Sequence, residues 1–263
     1  MNTNSTPVDP NEGMDLLQTA SAFQFSGAAI DQLTGGSSKY TLVTIVVDIS
    51  GSVSPYAAAI EGLLSEIVQA CQKDPAADTL MLRVLLFNQD LTELHGFKLL
   101  GSINPTDYKG KISCGGSTAL YDAMLNAVES AEAYAKQLLT QAYMSNAVTF
   151  VTTDGENNAS SSGASDVLKA NNRVVKQESL ESSNTILLGL TNDPAFGPYL
   201  KTVETDCGCN QSMVVGALSV GGPNVNKGKI AKLAGFVSHS VSSTAQALGT
   251  GGASKNIPAS LVI

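Results

Sequence analysis

The sequence predicts an α/β fold: a doubly wound, mainly parallel sheet flanked by helices on both faces. Three observations predict it. From Tyr40 onward, short β-branched apolar runs alternate with amphipathic helical stretches. The runs are apolar on both sides, as strands are when helices cover both faces of a parallel sheet. Each run is separated from the next by about one helix, which implies right-handed crossovers within one sheet.

The elements follow in order. "YTLVTIVVD" reads as a central strand, and "SPYAAAIEGLLSEIVQACQKD" as the helix after it. In that helix Ile60, Leu63, Leu64, Ile67, Val68 and Cys71 share one face, with Ser54 as N-cap and Pro55 in the first turn. "DTLMLRVLLFNQD" is a second strand and "TELHGFKLL" a short further strand or its return. "STALYDAMLNAVESAEAYAKQLL" places Leu120, Met124, Ala127, Val128, Ala131 and Ala135 at helical spacing. "NAVTFVTTDGENN" is a strand that stops at Asp154 and Gly155. A polar helix lies within 163–181, "TILLGL" is a strand, "MVVGAL" the last strand, and "KGKIAKLAGFVSHSVSSTAQAL" the last helix.

The chain divides into residues 1–39, an N-terminal arm and linker that either packs on the domain or a neighbouring chain or is a surface segment with no role of its own, the α/β domain at 40–248, and a loosely held tail at 249–263. A length of 263 residues fits one large α/β domain. With 15 basic against 23 acidic residues and a net charge of −8, nonspecific binding to nucleic-acid phosphates is excluded. "MNTNSTPVDPNEGMD" has neither the charged start nor the apolar core of a secretory signal, and no apolar run reaches the ~20 residues of a membrane span. The expectation is a cytoplasmic protein with no membrane partner. Cys71, Cys114, Cys207 and Cys209 are too few and too irregular for a disulfide framework. The "CGC" at 207–209 lacks the four ligands of a zinc site and reads as loop cysteines.

In a doubly wound sheet, ligands bind in the crevice outside the carboxyl ends of the strands. Three junctions on that rim carry compact oxygen donors: Asp48, Ser50 and Ser52 after the first strand, Thr118 at a helix start, and Asp154 at the end of the "NAVTFVTTD" strand. Alone, each is an ordinary turn or cap. Together they suit a small hard cation such as Mg²⁺, which takes oxygen ligands and keeps some of its waters. Alternate spacing lets the Ser50 and Ser52 hydroxyls turn to one side, with Gly51 bending the loop between them. A metal held by neutral hydroxyls is poorly neutralised and seeks an anionic ligand from outside.

"DISGS" at 48–52, the threonine of "GGST" at Thr118 and "TDGE" from 153 resemble the three parts of the metal-ion-dependent adhesion site of von Willebrand factor A (vWA) domains. The resemblance covers roughly residues 40–245. It implies a vWA/Rossmann-like fold, Ser50, Ser52 and Thr118 as direct ligands of Mg²⁺ or Mn²⁺, and Asp48 and Asp154 acting mainly through waters. It further implies a protein partner whose Glu or Asp completes the coordination, with Gly116, Ser117 and Glu156 on the rim. Low aromatic content and the absence of tryptophan resemble intracellular bacterial or phage-borne members, which often work beside AAA+ ATPases or in other assemblies.

Two other classes compete. A structural assembly subunit would keep the site as a vestige or a fold stabiliser. A metal-dependent phosphoesterase would use the metal to activate water, but position 50 is serine where the haloacid dehalogenase pattern wants a second aspartate, and no G-x-x-x-x-G-K-[ST] loop is present. His95 and His239 belong to no catalytic motif. The sequence therefore predicts a binding module and not an enzyme.

Overall fold

The computed structural model describes residues 13–30, 33, 37–177, 179–216, 218 and 223–247. Its strands are β1 (Met14–Gln18), β2 (Gln24–Ala28), β3 (Lys39–Asp48), β4 (Leu80–Phe87), β5 (Leu91–Leu99), β6 (Met144–Thr153), β7 (Ser183–Gly189) and β8 (Gln211–Val214). The helices are α1 (Ala57–Gln72), α2 (Leu120–Leu139), α3 (Ala164–Lys176), α4 (Phe196–Cys207) and α5 (Pro223–Ala247). All eight strands form one sheet in the order β1-β2-β5-β4-β3-β6-β7-β8. From β4 through β3, β6 and β7 to β8 every pairing is parallel. The expected doubly wound α/β architecture is the one observed.

Strand β3 shows why the sequence folds this way. Side chains alternate across a strand, and Val43, Ile45 and Val47 join one buried cluster while Leu42 and Val46 join the other. The first cluster holds the apolar face of α1, all six residues named above, together with Leu233, Phe236 and Val237 of α5. The second holds α2, α3 and α4 against the opposite face. Helix α2 is buried well beyond its apolar stripe. Glu129 and Glu132 are only 3% exposed and pair with Arg173 of α3 at 3.0 and 2.8 Å.

Some local expectations are corrected. Helix α1 begins at Ala57, because Gly51–Tyr56 winds into a 3-10 turn that contains Pro55; Ser54 is therefore not its cap. Gly51 does not have a positive φ. Helix α4 was not foreseen, since Pro194, Gly197 and Pro198 obscure its start. The "CGC" at 207–209 is its end: Gly208 takes the left-handed cap conformation at φ 68°. Burial pushes the Cys207 thiol up to about 12. Among the described residues no cluster of three or more His, Cys, Asp or Glu could hold a metal ion.

Residues 14–28, assigned from sequence to the arm, form the antiparallel β1–β2 hairpin, and β2 extends the sheet beside β5. Contact there is close: a Cβ on Gly96 would lie 1.9 Å from the Ser26 carbonyl oxygen, so only glycine fits. Residues 1–12 and the tail at 249–263 lie outside the described residues. No described helix is long and apolar enough to cross a membrane.

His95 supplies a pH prediction. It lies 6% exposed on β5, with Nδ1 2.9 Å from the Gly96 carbonyl and Nε2 2.9 Å from the Tyr108 hydroxyl. A carbonyl only accepts, so Nδ1 carries the proton and Nε2 accepts from Tyr108. Burial pushes His95 down to about 4, whereas the unfolded chain titrates near 6.5. Its contribution to stability is complete above about pH 6.5 and is lost as pH falls towards 4, by about 2–3 kcal/mol at pH 4.5. Urea unfolding of the parent and of His95→Gln at pH 7 and pH 4.5 should show the parent losing about that much more; equal losses would refute the assignment.

Candidate metal centre

The chain leaves β3 for β4 on one side of the sheet, and later enters β6 on the other side of β3. The order of strands thus reverses at β3, which makes the carboxyl ends of β3 and β6 the place where such a sheet binds ligands. Asp48 is the last residue of β3, and Asp154 follows the last residue of β6.

Asp48 is fully buried. Its Oδ1 accepts from the Ser50 backbone N–H at 2.8 Å and its Oδ2 from the Thr153 hydroxyl at 2.7 Å. The first bond closes the loop tightly enough to bring the Ser50 and Ser52 hydroxyl oxygens within 3.2 Å of each other. Ser52 in turn donates to Asp154 Oδ1 at 2.6 Å. A Cβ built on Gly155 would stand 3.9 Å from Ser52 Oγ and 4.0 Å from Thr118 Oγ1, so these two hydroxyls flank the same glycine. The structure therefore brings Asp48, Ser50, Ser52, Thr118 and Asp154 together at one place. Asp48, Ser50 and Thr118 are buried, Asp154 is partly exposed and Ser52 is open to solvent.

Thr118 does not cap α2, whose N-cap is Ala119. Instead its backbone N–H donates to Asn158 Oδ1 at 2.8 Å, and its carbonyl accepts from the N–H groups of Asn158 and Ala159. Further ties bind this loop to residues 157–162. Leu120 N–H donates to Asn157 Oδ1 at 3.0 Å, and Asp122 accepts from the backbones of Ser161 and Ser162, each at 2.8 Å. Sequence reading missed Thr153, Asn157, Asn158 and Asp122. The "NN" that follows "TDGE" was the available signal, because asparagine side chains bond backbone groups at turns. Of the rim residues, Gly116, Ser117 and Glu156 are all exposed.

The donor set suits a divalent cation. Burial raises both Asp48 and Asp154 above the ordinary carboxylate range, and none of the ion pairs among the described residues involves either one. Two aspartates without a basic partner, beside three clustered hydroxyls, offer oxygen ligands and an uncompensated charge that a hard cation would neutralise.

No protein-family model matches the chain, and no curated protein matches it. Solved structures do. Proximal thread matrix protein 1 from the mussel byssus matches with a TM-score of 0.52 at 16% identity, covering 76% of this chain and 46% of that one. The D319A mutant of the PilB minor pilin from Streptococcus sanguinis matches at 0.52 and 12% identity, covering 77% and 61%. The pilus adhesin SpaC from Lactobacillus rhamnosus GG matches at 0.51 and 10% identity, covering 76% and 31%. This chain spans less than two thirds of each of these structures. At such identities the likeness is one of fold, a mainly parallel α/β sheet with helices on both faces.

Proposed function

We propose that this chain is a metal-dependent protein-binding module rather than an enzyme. A single observation carries the reading: five oxygen-bearing side chains from three separate loops converge at the point where the strand order reverses. Ser50, Ser52 and Thr118 hold Mg²⁺, or Mn²⁺ in its place, by their hydroxyls, and Asp48 and Asp154 hold its waters. The bound ion would supply a Lewis-acidic position for a carboxylate from outside. Thr153 and the Ser50 N–H fix the Asp48 carboxylate so that it need not reorganise when the ion arrives. Gly116, Ser117 and Glu156 form the surrounding surface against which a partner's Glu or Asp is presented. That one of the matched folds belongs to a pilus adhesin agrees with a binding role.

The cytoplasm is the compartment we assign, since all four cysteines are free and Cys71 and Cys207 are buried as thiols. The partner belongs to an assembly such as one built around an AAA+ ATPase.

Titration calorimetry with Mn²⁺ and Mg²⁺, followed by capture of host proteins with Mg²⁺ or with EDTA, tests the reading. Metal binding by the parent, and a partner retained only with Mg²⁺, are expected. A partner retained equally under EDTA would favour a structural assembly subunit. Phosphoester hydrolysis by the parent that disappears in Asp48→Ala would make the protein an enzyme after all.

A further inference from the structure

The loop that carries Thr118 has its shape imposed from outside. Gly115 N–H donates to the Ile49 carbonyl at 2.8 Å, and the Gly116 carbonyl accepts from Gly51 N–H at 3.0 Å, which joins the loop to the Asp48–Ser52 segment. On its other side stands the tight turn between β4 and β5. Asn88 Nδ2 donates to the Gly115 carbonyl at 2.8 Å, the Asn88 carbonyl accepts from Ala119 N–H at 2.7 Å, and Gln89 Oε1 accepts from Ser117 N–H at 3.1 Å. Two residues of one turn thus grip the loop on both sides of Thr118.

The turn is also held by bonds of its own. Asp90 N–H donates to Asn88 Oδ1 at 2.9 Å, Asn88 N–H donates to the Asp90 carbonyl at 3.0 Å, and Gln89 Nε2 donates to Asp90 Oδ2 at 3.0 Å. Gly116 completes the socket. Its φ is +81°, and a Cβ there would lie 1.8 Å from Gln89 Oε1, so the amide occupies space that any other residue would fill. Gln89 itself is exposed and buries nothing of the core.

From this geometry we infer that Gln89 is a positioning residue of the metal centre: by fixing Ser117 N–H it sets the direction of the neighbouring Thr118 hydroxyl. The inference rests on the metal-binding reading above. Gln89 is not one of the five motif residues, and its side chain bonds to Asp90 and to the Ser117 backbone, through which it acts. Groups that orient ligands are worth about 10–100-fold in metal affinity.

The test uses the full chain and Mn²⁺ alone. Gln89→Met keeps the length and removes the acceptor. Expected results are an Mn²⁺ dissociation constant raised about tenfold in Gln89→Met, with melting temperature in EDTA unchanged and amide exchange faster at Ser117 than in the parent. Parent-like Mn²⁺ affinity in Gln89→Met overturns the inference and leaves the metal reading standing. A parent that binds no Mn²⁺ overturns both.

Discussion

Replacing Glu93 by alanine should cost the fold about 3–5 kcal/mol, a large part of the ~5–15 kcal/mol that holds a domain of this kind together. Arg83 lies on the central strand β4 and is fully buried. Its Nε meets Glu93 Oε2 at 2.6 Å, its Nη2 donates to Asn126 Oδ1 at 3.0 Å, and its guanidinium carbon lies 5.7 and 5.9 Å from the ring centres of Phe25 and Phe97. Nη1 has no hydrogen-bond partner among the described residues. Burial already pulls the Arg83 pKa down. Without Glu93 the guanidinium would keep its charge in an apolar site with one neutral acceptor.

The same carboxylate also holds the β1–β2 hairpin. Glu93 Oε1 accepts from the Ser26 N–H at 2.8 Å and from its hydroxyl at 2.5 Å, and both bonds would vanish. Urea unfolding should show the loss, and hydrogen exchange should speed up across 14–28 before it does so in β3 or β6. Replacing both members together, Arg83→Met with Glu93→Leu, should recover only the part of the loss that comes from the stranded guanidinium, because the two Ser26 bonds stay broken. A Glu93→Ala variant within about 1 kcal/mol of the parent would show that the pair is not the anchor described here.

That hairpin also marks where the sequence stopped being readable. β3, α1 and the apolar stripe of α2 were legible, since burial on both faces of a strand, or on one face of a helix, leaves a period in the residue types. β1 and β2 carry no such period. Gln18, Gln24, Ser26 and Gly27 interrupt it, and what holds β2 is a buried charge pair on other strands together with a glycine contact, neither of which has a local pattern. Glu129 and Glu132 looked like the solvent face of α2 and are buried, because Arg173 arrives from α3 to neutralise them. The five site residues were found by type: carboxylates and hydroxyls at strand ends are a short list. The residues that hold them act mostly on backbone groups: Asn157 and Asn158 left only the "NN" after "TDGE" as a signal, and Asn88 and Gln89 read as an ordinary turn.

Asp48→Asn should separate folding from metal binding. The carboxylate is buried without a basic partner among the described residues, and burial is the largest influence on it, opposing its charge. An asparagine fits the same bonds: its oxygen accepts from Ser50 N–H, and its amide donates to Thr153 Oγ1 once that hydroxyl turns its own hydrogen to the Gly155 carbonyl, already 3.1 Å away. Measured in EDTA, the variant should therefore melt no lower than the parent. In saturating metal the order reverses. A metal at 100 times its dissociation constant stabilises the parent by about 2.7 kcal/mol, and the variant, lacking the charge that holds the ion's waters, should show almost none of this. Melting curves of both proteins in EDTA and in Mg²⁺ give the four values needed. Equal metal-induced shifts would mean that Asp48 is a structural residue of the β3 terminus and that the cation, if bound, is held elsewhere. A variant that melts early in EDTA would mean that the charge of Asp48 helps the fold, and that burial is offset by the Ser50 and Thr153 hydrogen bonds alone.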